Sequence, residues 1–294
     1  MQRATFKSHG INLVGNLHEP SGVTGRFPAV ALLGPMTFVK EQAPTEYARR
    51  LAEAGFIALV FDPRFRGESG GEPRNLESPM AKVEDLRAAV DFLASRPNVD
   101  TKRIHLLGIC QGSSEVVRAG ADDPRVASLV TVAGHYRDSI GDVEWLTEKG
   151  LERHLAAGRA AREKYQRTGI VDYVPAVDDV RMDVGMPGKF VWDWYHGWAD
   201  RGIWENQYAV MSDADLLEYE SASAMQRLSK PYLMIHSDNS FLPNTARRQF
   251  EMVKSAQKRL DWDGQTPHLS YYDQAPIIDS ATARAVTWFQ NNHR

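Results

Sequence analysis

The chain contains one cysteine, Cys110, in 294 residues. A single thiol forms neither an intramolecular disulfide nor a thiolate zinc site, which excludes a disulfide scaffold and leaves packing or chemistry in a reducing compartment. No stretch approaches the ~20 consecutive apolar residues of a membrane span. The opening MQRATFKSHGINLVGNLHEP likewise has no long apolar run behind its basic residues, so no export signal is read there. A cytoplasmic protein without a membrane partner is expected. Charge of one sign is also missing: 35 Lys and Arg stand against 38 Asp and Glu, which gives no reason to expect nucleic acid. There is no internal repeat and no low-complexity linker.

What is present is an alternation of strand-like and helix-like segments. ATFKSHGINLVGNLHEP half-alternates and reads as an edge hairpin. FPAVALLG (27–34), FIALVFD (56–62), RIHLLGI, VASLVTVAG (126–134) and PYLMIHSD (231–238) are apolar runs suited to strands buried on both faces. Helical periodicity lies between them at 43–55, 80–96 and from Gln111 on, then at 244–257, and SATARAVTWFQNN closes the chain. KRLDWD reads as one further short strand. Strands spaced by helices argue for an α/β fold, a mostly parallel sheet covered on both sides. From His135 the rhythm breaks into nearly a hundred residues of helical pattern. The expected organisation is a core of 1–134 and 229–294 with a helical lid, 135–228, inserted before the last strands.

The cysteine lies in RIHLLGICQGSSEVV, where Gly108 and Gly112 flank Cys110 at −2 and +2 between a strand and a helix. This is the GxCxG form of the GxSxG elbow, a strained strand-to-helix turn that presents a nucleophile and needs small residues where the backbones close up. The following helix N-terminus should favour the thiolate. Ser113 and Ser114 lack the second glycine. An elbow of this kind is followed in chain order by an acid and then a histidine. Of nine histidines, His268 in DGQTPHLSYYD satisfies that order and stands between the last short strand and the last helix. The acid expected in HSDNSFLP is Asp238; Ser240 occupies the commoner position two residues on, and Asp138 is an alternative. The oxyanion donors expected are the backbone N–H groups of Gln111 and, in GPMTFVK, of Met36, because Pro35 has none.

With these residues in place the chain resembles the α/β-hydrolases, and more narrowly their dienelactone hydrolase-like branch with a cysteine elbow. The resemblance rests on residues ~25–135, then on PYLMIHSDNSFLP and HLSYYDQAPIIDSATARAVTWF. It implies a Cys110, His268, Asp238 triad acting without cofactor or metal on esters, lactones or thioesters. Similar proteins also act as acyltransferases or cyclases of natural-product metabolism.

The expected reaction is therefore hydrolysis through an acyl-Cys110 intermediate, with acyl transfer, cyclisation or C–C lyase chemistry as the alternative and a non-catalytic binding protein as a further one. FVWDWYHGWADRGIW (190–204) supplies Trp192, Trp194, Tyr195, Trp198 and Trp204, which with His135 and Tyr136 are the expected substrate wall. A small-molecule acyl substrate of bulky, apolar character follows. Arg64 and Arg66 are candidate carboxylate ligands. The aromatic-rich insertion is also where a homodimer would form.

Overall fold

The computed structural model describes residues 1–22 and 24–293. The chain opens with β1 (Gln2–Ser8) and β2 (Ile11–His18), paired antiparallel from Gln2 opposite Leu17 to Ser8 opposite Ile11. Its period-two pattern explains the edge position: Ala4, Phe6 and Ser8 are buried while Thr5 and Lys7 are exposed. Strands and helices then alternate as β3 (Phe27–Leu33), α1 (Ala43–Glu53), β4 (Ile57–Phe61), α2 (Pro79–Ala94), β5 (Val99–Ile109), α3 (Gly112–Asp122) and β6 (Val126–Val132).

The stretch expected as an insertion is built from α4 (Ser139–Leu146), α5 (Glu148–Thr168), β7 (Tyr173–Val174), β8 (Val177–Asp178), β9 (Met186–Pro187), α6 (Lys189–Asp200), β10 (Tyr208–Ala209), α7 (Ser212–Glu218) and α8 (Ala222–Arg227). The core resumes with β11 (Tyr232–His236), α9 (Pro243–Met252), β12 (Lys258–Trp262), α10 (Ser270–Asp273) and α11 (Ala275–Asn291). The last helix starts well before the expected Ser280, because Pro276 sits in its first turn, where a missing N–H costs nothing.

The main sheet has eight strands in the order β1-β2-β4-β3-β5-β6-β11-β12. β2 is antiparallel to β4, and the strands from β4 to β12 are parallel. Residue parity assigns the two faces. Val30, Leu32, Ala58 and Val60 pack with Tyr47 and Leu51 of α1 and Ala285 and Phe289 of α11. Their neighbours Ala29, Ala31, Leu33 and Leu59 pack with Leu86 and Val90 of α2 and Val116 and Val117 of α3. Burial on both faces is why these strands read as continuous apolar runs.

The expected insertion is not purely helical, since β7 pairs with β10 and β8 with β9. Nor does it behave as a unit to residue 228: Ala224, Met225 and Leu228 in and after α8 belong to the main core with Phe250 of α9. The part that caps the sheet is anchored at definite points. Trp204 Nε1 donates to Thr37 O at 2.6 Å and the Tyr195 hydroxyl to Met36 O at 3.3 Å, while the Glu77 N–H donates to Ser212 Oγ at 2.9 Å. The two loop arginines belong to this framework. Arg64 is bound by Asp85 and Glu84, and Arg66 donates to the carbonyls of Glu205 and Gln207.

Candidate active site

β5 delivers Cys110 into a turn with φ of +52°, a left-handed conformation that a residue with a Cβ adopts only under constraint. The constraint is visible on both sides. The Cys110 N–H donates to Val132 O at 3.1 Å, and Cys110 O accepts from the Ser113 and His135 N–H groups. The glycines are required by close approach: a Cβ on Gly112 would lie 2.5 Å from the carbonyl oxygens of Leu33 and Gly34, and one on Gly108 2.6 Å from Gly112 O and Ser113 Cα. Ser113 and Ser114 are buried in the first turn of α3, where the Ser114 hydroxyl donates to Gln111 O.

The thiol faces three donors: the backbone N–H groups of Gln111 and Met36 and the hydroxyl of Tyr272. The loop carrying Met36 is fixed from two directions. The Thr37 N–H donates to Glu77 Oε2 at 3.1 Å, Glu77 is paired with Lys82, and the cap holds the carbonyls of residues 36 and 37. Burial raises the Cys110 thiol above its ordinary range and outweighs these donors, so the expected helix-favoured thiolate is not the resting state.

His268 approaches from the turn before α10. The Phe241 N–H donates to its Nδ1 at 3.3 Å, and its Nε2 lies 3.0 Å from the Tyr272 hydroxyl. With Nδ1 accepting, the neutral ring carries its proton on Nε2, a tautomer assigned from this hydrogen bond. The Tyr272 hydroxyl thus accepts from Nε2–H and stands beside Cys110, whose thiolate it would stabilise. Burial, then the neighbouring His236, lowers His268 to about 3. Tyr272 was not singled out in the sequence, although its spacing of four from His268 puts both on one side of a helical turn.

No carboxylate meets His268 among the described residues. Asp238 points away: it is partly exposed, accepts from Arg247 at 2.6 Å and from Trp262 Nε1 at 3.0 Å, and Arg247 lies over the Trp262 ring. Asp138 caps α4 through the Gly141 N–H and binds Arg248. Ser240 is bonded to the Ser237 hydroxyl at 2.7 Å. Of the three residues expected as a triad, Cys110 and His268 line one cavity with Tyr272, and Asp238 lies away from them.

A cavity of about 100 Å³ opens above Cys110, walled by Met36, His135, Trp145, Phe190, Tyr195, Phe241, His268 and Tyr272 among others. Of the expected substrate wall, His135 and Tyr195 line it and five aromatic residues do not. Tyr136 lies beneath the site, its hydroxyl on Thr131. Trp192, Trp194, Trp198 and Trp204 pack among themselves, Tyr195 and Val191, and Trp194 reaches the cavity only as an edge-on support behind Tyr272. The space is far below the roughly 300–1,000 Å³ of an ordinary ligand pocket. Among the described residues no cluster of three or more His, Cys, Asp or Glu is placed to hold a metal.

A mostly parallel eight-stranded sheet of this order, with a strained residue on the turn after its fifth strand, defines an α/β-hydrolase. The serine aminopeptidase, S33, pattern matches residues 41–274, and the chain belongs to that family of α/β-hydrolase enzymes. It is similar to the uncharacterised protein YcjY of Escherichia coli, at 33% identity over 273 residues covering 91% of this chain and 89% of that one. It is 35% identical over 135 residues to the polyketide transferase grgF of a Penicillium species (46% and 45% of the two chains), and 34% over 132 residues to the thiohydrolase apmlB of Arthrinium phaeospermum (45% and 42%). The crystal structure of hypothetical protein PA2218 from Pseudomonas aeruginosa superposes with a TM-score of 0.84 at 27% identity, covering 99% and 92% of the chains. That of Penicillium GrgF gives 0.81 at 26%, covering 99% and 98%. Among the described residues no helix is long and apolar enough to cross a membrane.

Proposed function

We propose that the enzyme moves an acyl group from a thioester, or a comparably activated ester or lactone, onto Cys110 and then onto water or an acceptor. The observation that carries this reading is the elbow itself, with Sγ set against the Met36 and Gln111 N–H groups. In this reading the Cys110 proton passes by way of the Tyr272 hydroxyl to Nε2 of His268, and Sγ adds to the acyl carbonyl. The carbonyl oxygen takes its developing charge to the two backbone N–H groups. The bond to the leaving group breaks, and the departing thiol or alcohol takes up the proton held at Nε2. Water or the acceptor then adds to the acyl carbon, its proton passing by Nε2 and Tyr272 to Sγ as the C–S bond breaks and Cys110 is freed. Accepting a proton at Nε2 requires the tautomer opposite to the one the Phe241 N–H favours, so the observed arrangement is a resting form.

Among the described residues no carboxylate meets His268, and this favours some substrates over others. An imidazolium there has no counter-charge and is already disfavoured by burial. A thiolate leaving group, ordinary pKa ~8.5, departs near neutral pH without help, whereas an amine must receive a proton. Thioesters are therefore favoured over amides, which argues against aminopeptidase activity in this chain. The relatives named polyketide transferase and thiohydrolase agree with this order. The same weak base is a poor activator of water, which favours transfer to an acceptor over hydrolysis. A leaving-group series tests the reading: one acyl group presented as thioester, aryl ester and anilide should give single-turnover rates in that order, with no anilide cleavage. Equal rates for anilide and thioester would overturn it.

A further inference from the structure

A second cavity, of about 150 Å³, adjoins the one above Cys110, and Met36, Trp145 and Pro187 wall both. Of its charged lining residues Arg137 alone is buried, at 1% exposure. Arg137 Nε donates to Gln111 Oε1 at 3.0 Å and Nη1 to Asp142 Oδ1 at 2.9 Å. Its Nη2 has no acceptor among the described residues. A buried guanidinium rarely keeps an unpaired donor, because water is the alternative it has lost. The neighbouring carboxylate does not fill the gap: Asp213 is held by the Tyr208 hydroxyl at 2.6 Å and by His154 Nδ1 at 2.7 Å. Arg153 stands exposed among the lining residues and adds positive charge toward solvent.

We propose that this second cavity binds a carboxylate at the far end of the acyl group delivered to Cys110, with Arg137 Nη2 as its donor and Arg153 drawing it in. The inference rests on the acyl-Cys110 reading and names its substrate class: thioesters of dicarboxylic or otherwise acid-terminated acyl chains. One nitrogen remains free, and Met36, Val184 and Leu216 make much of the wall. That surface suits one oxygen of a singly charged carboxylate, whereas a phosphate dianion would find too few donors. Gln111 joins the two functions, because its N–H faces Cys110 and its side chain orients Arg137.

Binding is measured calorimetrically on Cys110→Ala, which cannot be acylated, with glutarate, glutaramide and inorganic phosphate. Glutarate should bind, and Arg137→Gln should weaken it by about tenfold or more, while glutaramide should bind weakly and alike to both. Equal glutarate affinity in the two proteins, or phosphate bound more tightly than glutarate, would overturn the proposal. If Arg137→Gln fails to fold, Arg137→Gln with Asp142→Asn leaves no buried acid unpaired, and Arg153→Gln at an exposed position should weaken glutarate a few-fold. Because the readout needs no turnover, glutarate binding without any acyl-enzyme would end the Cys110 reading alone. Acylation by pentanoyl and glutaryl thioesters at equal rates, unchanged by Arg137→Gln, would end this one alone.

Discussion

At Cys110, burial and hydrogen bonding pull the thiol in opposite directions, and burial prevails. The rate of alkylation by iodoacetamide should therefore rise through a single alkaline midpoint above the ~8.5 of a free thiol. No acid-side plateau of the kind a thiolate–imidazolium pair gives should appear, since His268 is held neutral. Tyr272→Phe removes a donor to the thiolate, so the midpoint should move higher still. On the proposed relay, acylation should also slow by about tenfold or more, and His268→Ala should slow it by roughly 10²–10⁴. A faster acylation in Tyr272→Phe would show the hydroxyl to be a cover and not a relay. The strained turn at Cys110 was legible because its glycines are local, and the place of His268 on the same cavity because chain order filters histidines. Asp238 misled because nothing near it reveals that Arg247 and Trp262 draw it outward.

The elbow is a property of an element pair, β5 and α3 crossing at contact distance against β3. Gly112→Ala forces a Cβ onto two backbone carbonyls that cannot rotate away. It should lower stability by about 1–3 kcal/mol and abolish acylation, read by urea unfolding and single-turnover assay together. On the cap, Trp204→Phe leaves Thr37 O without its partner. A loss of about 1–3 kcal/mol should come with slower acylation, because the adjacent Met36 N–H loses its support. The parallel strands were legible from burial on both faces. The cap was less so: aromatic content marks a packed region but gives no direction. Most of its tryptophans therefore serve one another and not the cavity. The short strands at Tyr173–Val174 and Met186–Pro187 are too brief to carry a period.

Across the whole molecule, several histidines are folded into places that exclude charge. Burial lowers His105 and His268 to about 3, His236 to about 4, and His135 well below its ordinary value. Each is neutral in both states above pH ~6.5. Below that the unfolded chain binds protons that the folded chain refuses, so stability falls with pH down toward the folded values. Burial lowers His18 too. Glu115, pushed up to about 7 by burial, opposes the trend between pH 5 and 7, and Asp62, Asp85 and Asp142, also raised by burial, oppose it as well. The urea midpoint should decline steadily from pH 7 to pH 5. His105, far from the site and stacked on Phe289, isolates the effect: His105→Gln should make the decline shallower by up to about 1.4 kcal/mol per pH unit. An unchanged slope would refute the assignment. This behaviour was not visible in the sequence, where nine histidines look alike until the fold buries some of them.

The central claim is that Cys110 carries the acyl group. Intact-mass analysis after mixing with a short-chain acyl thioester tests it most directly. The wild type should gain one acyl mass, mapped by proteolysis to the peptide containing Cys110 and absent from Cys110→Ala. Acylation that persists in Cys110→Ala, or that maps to Ser113 or Ser114, would contradict the account.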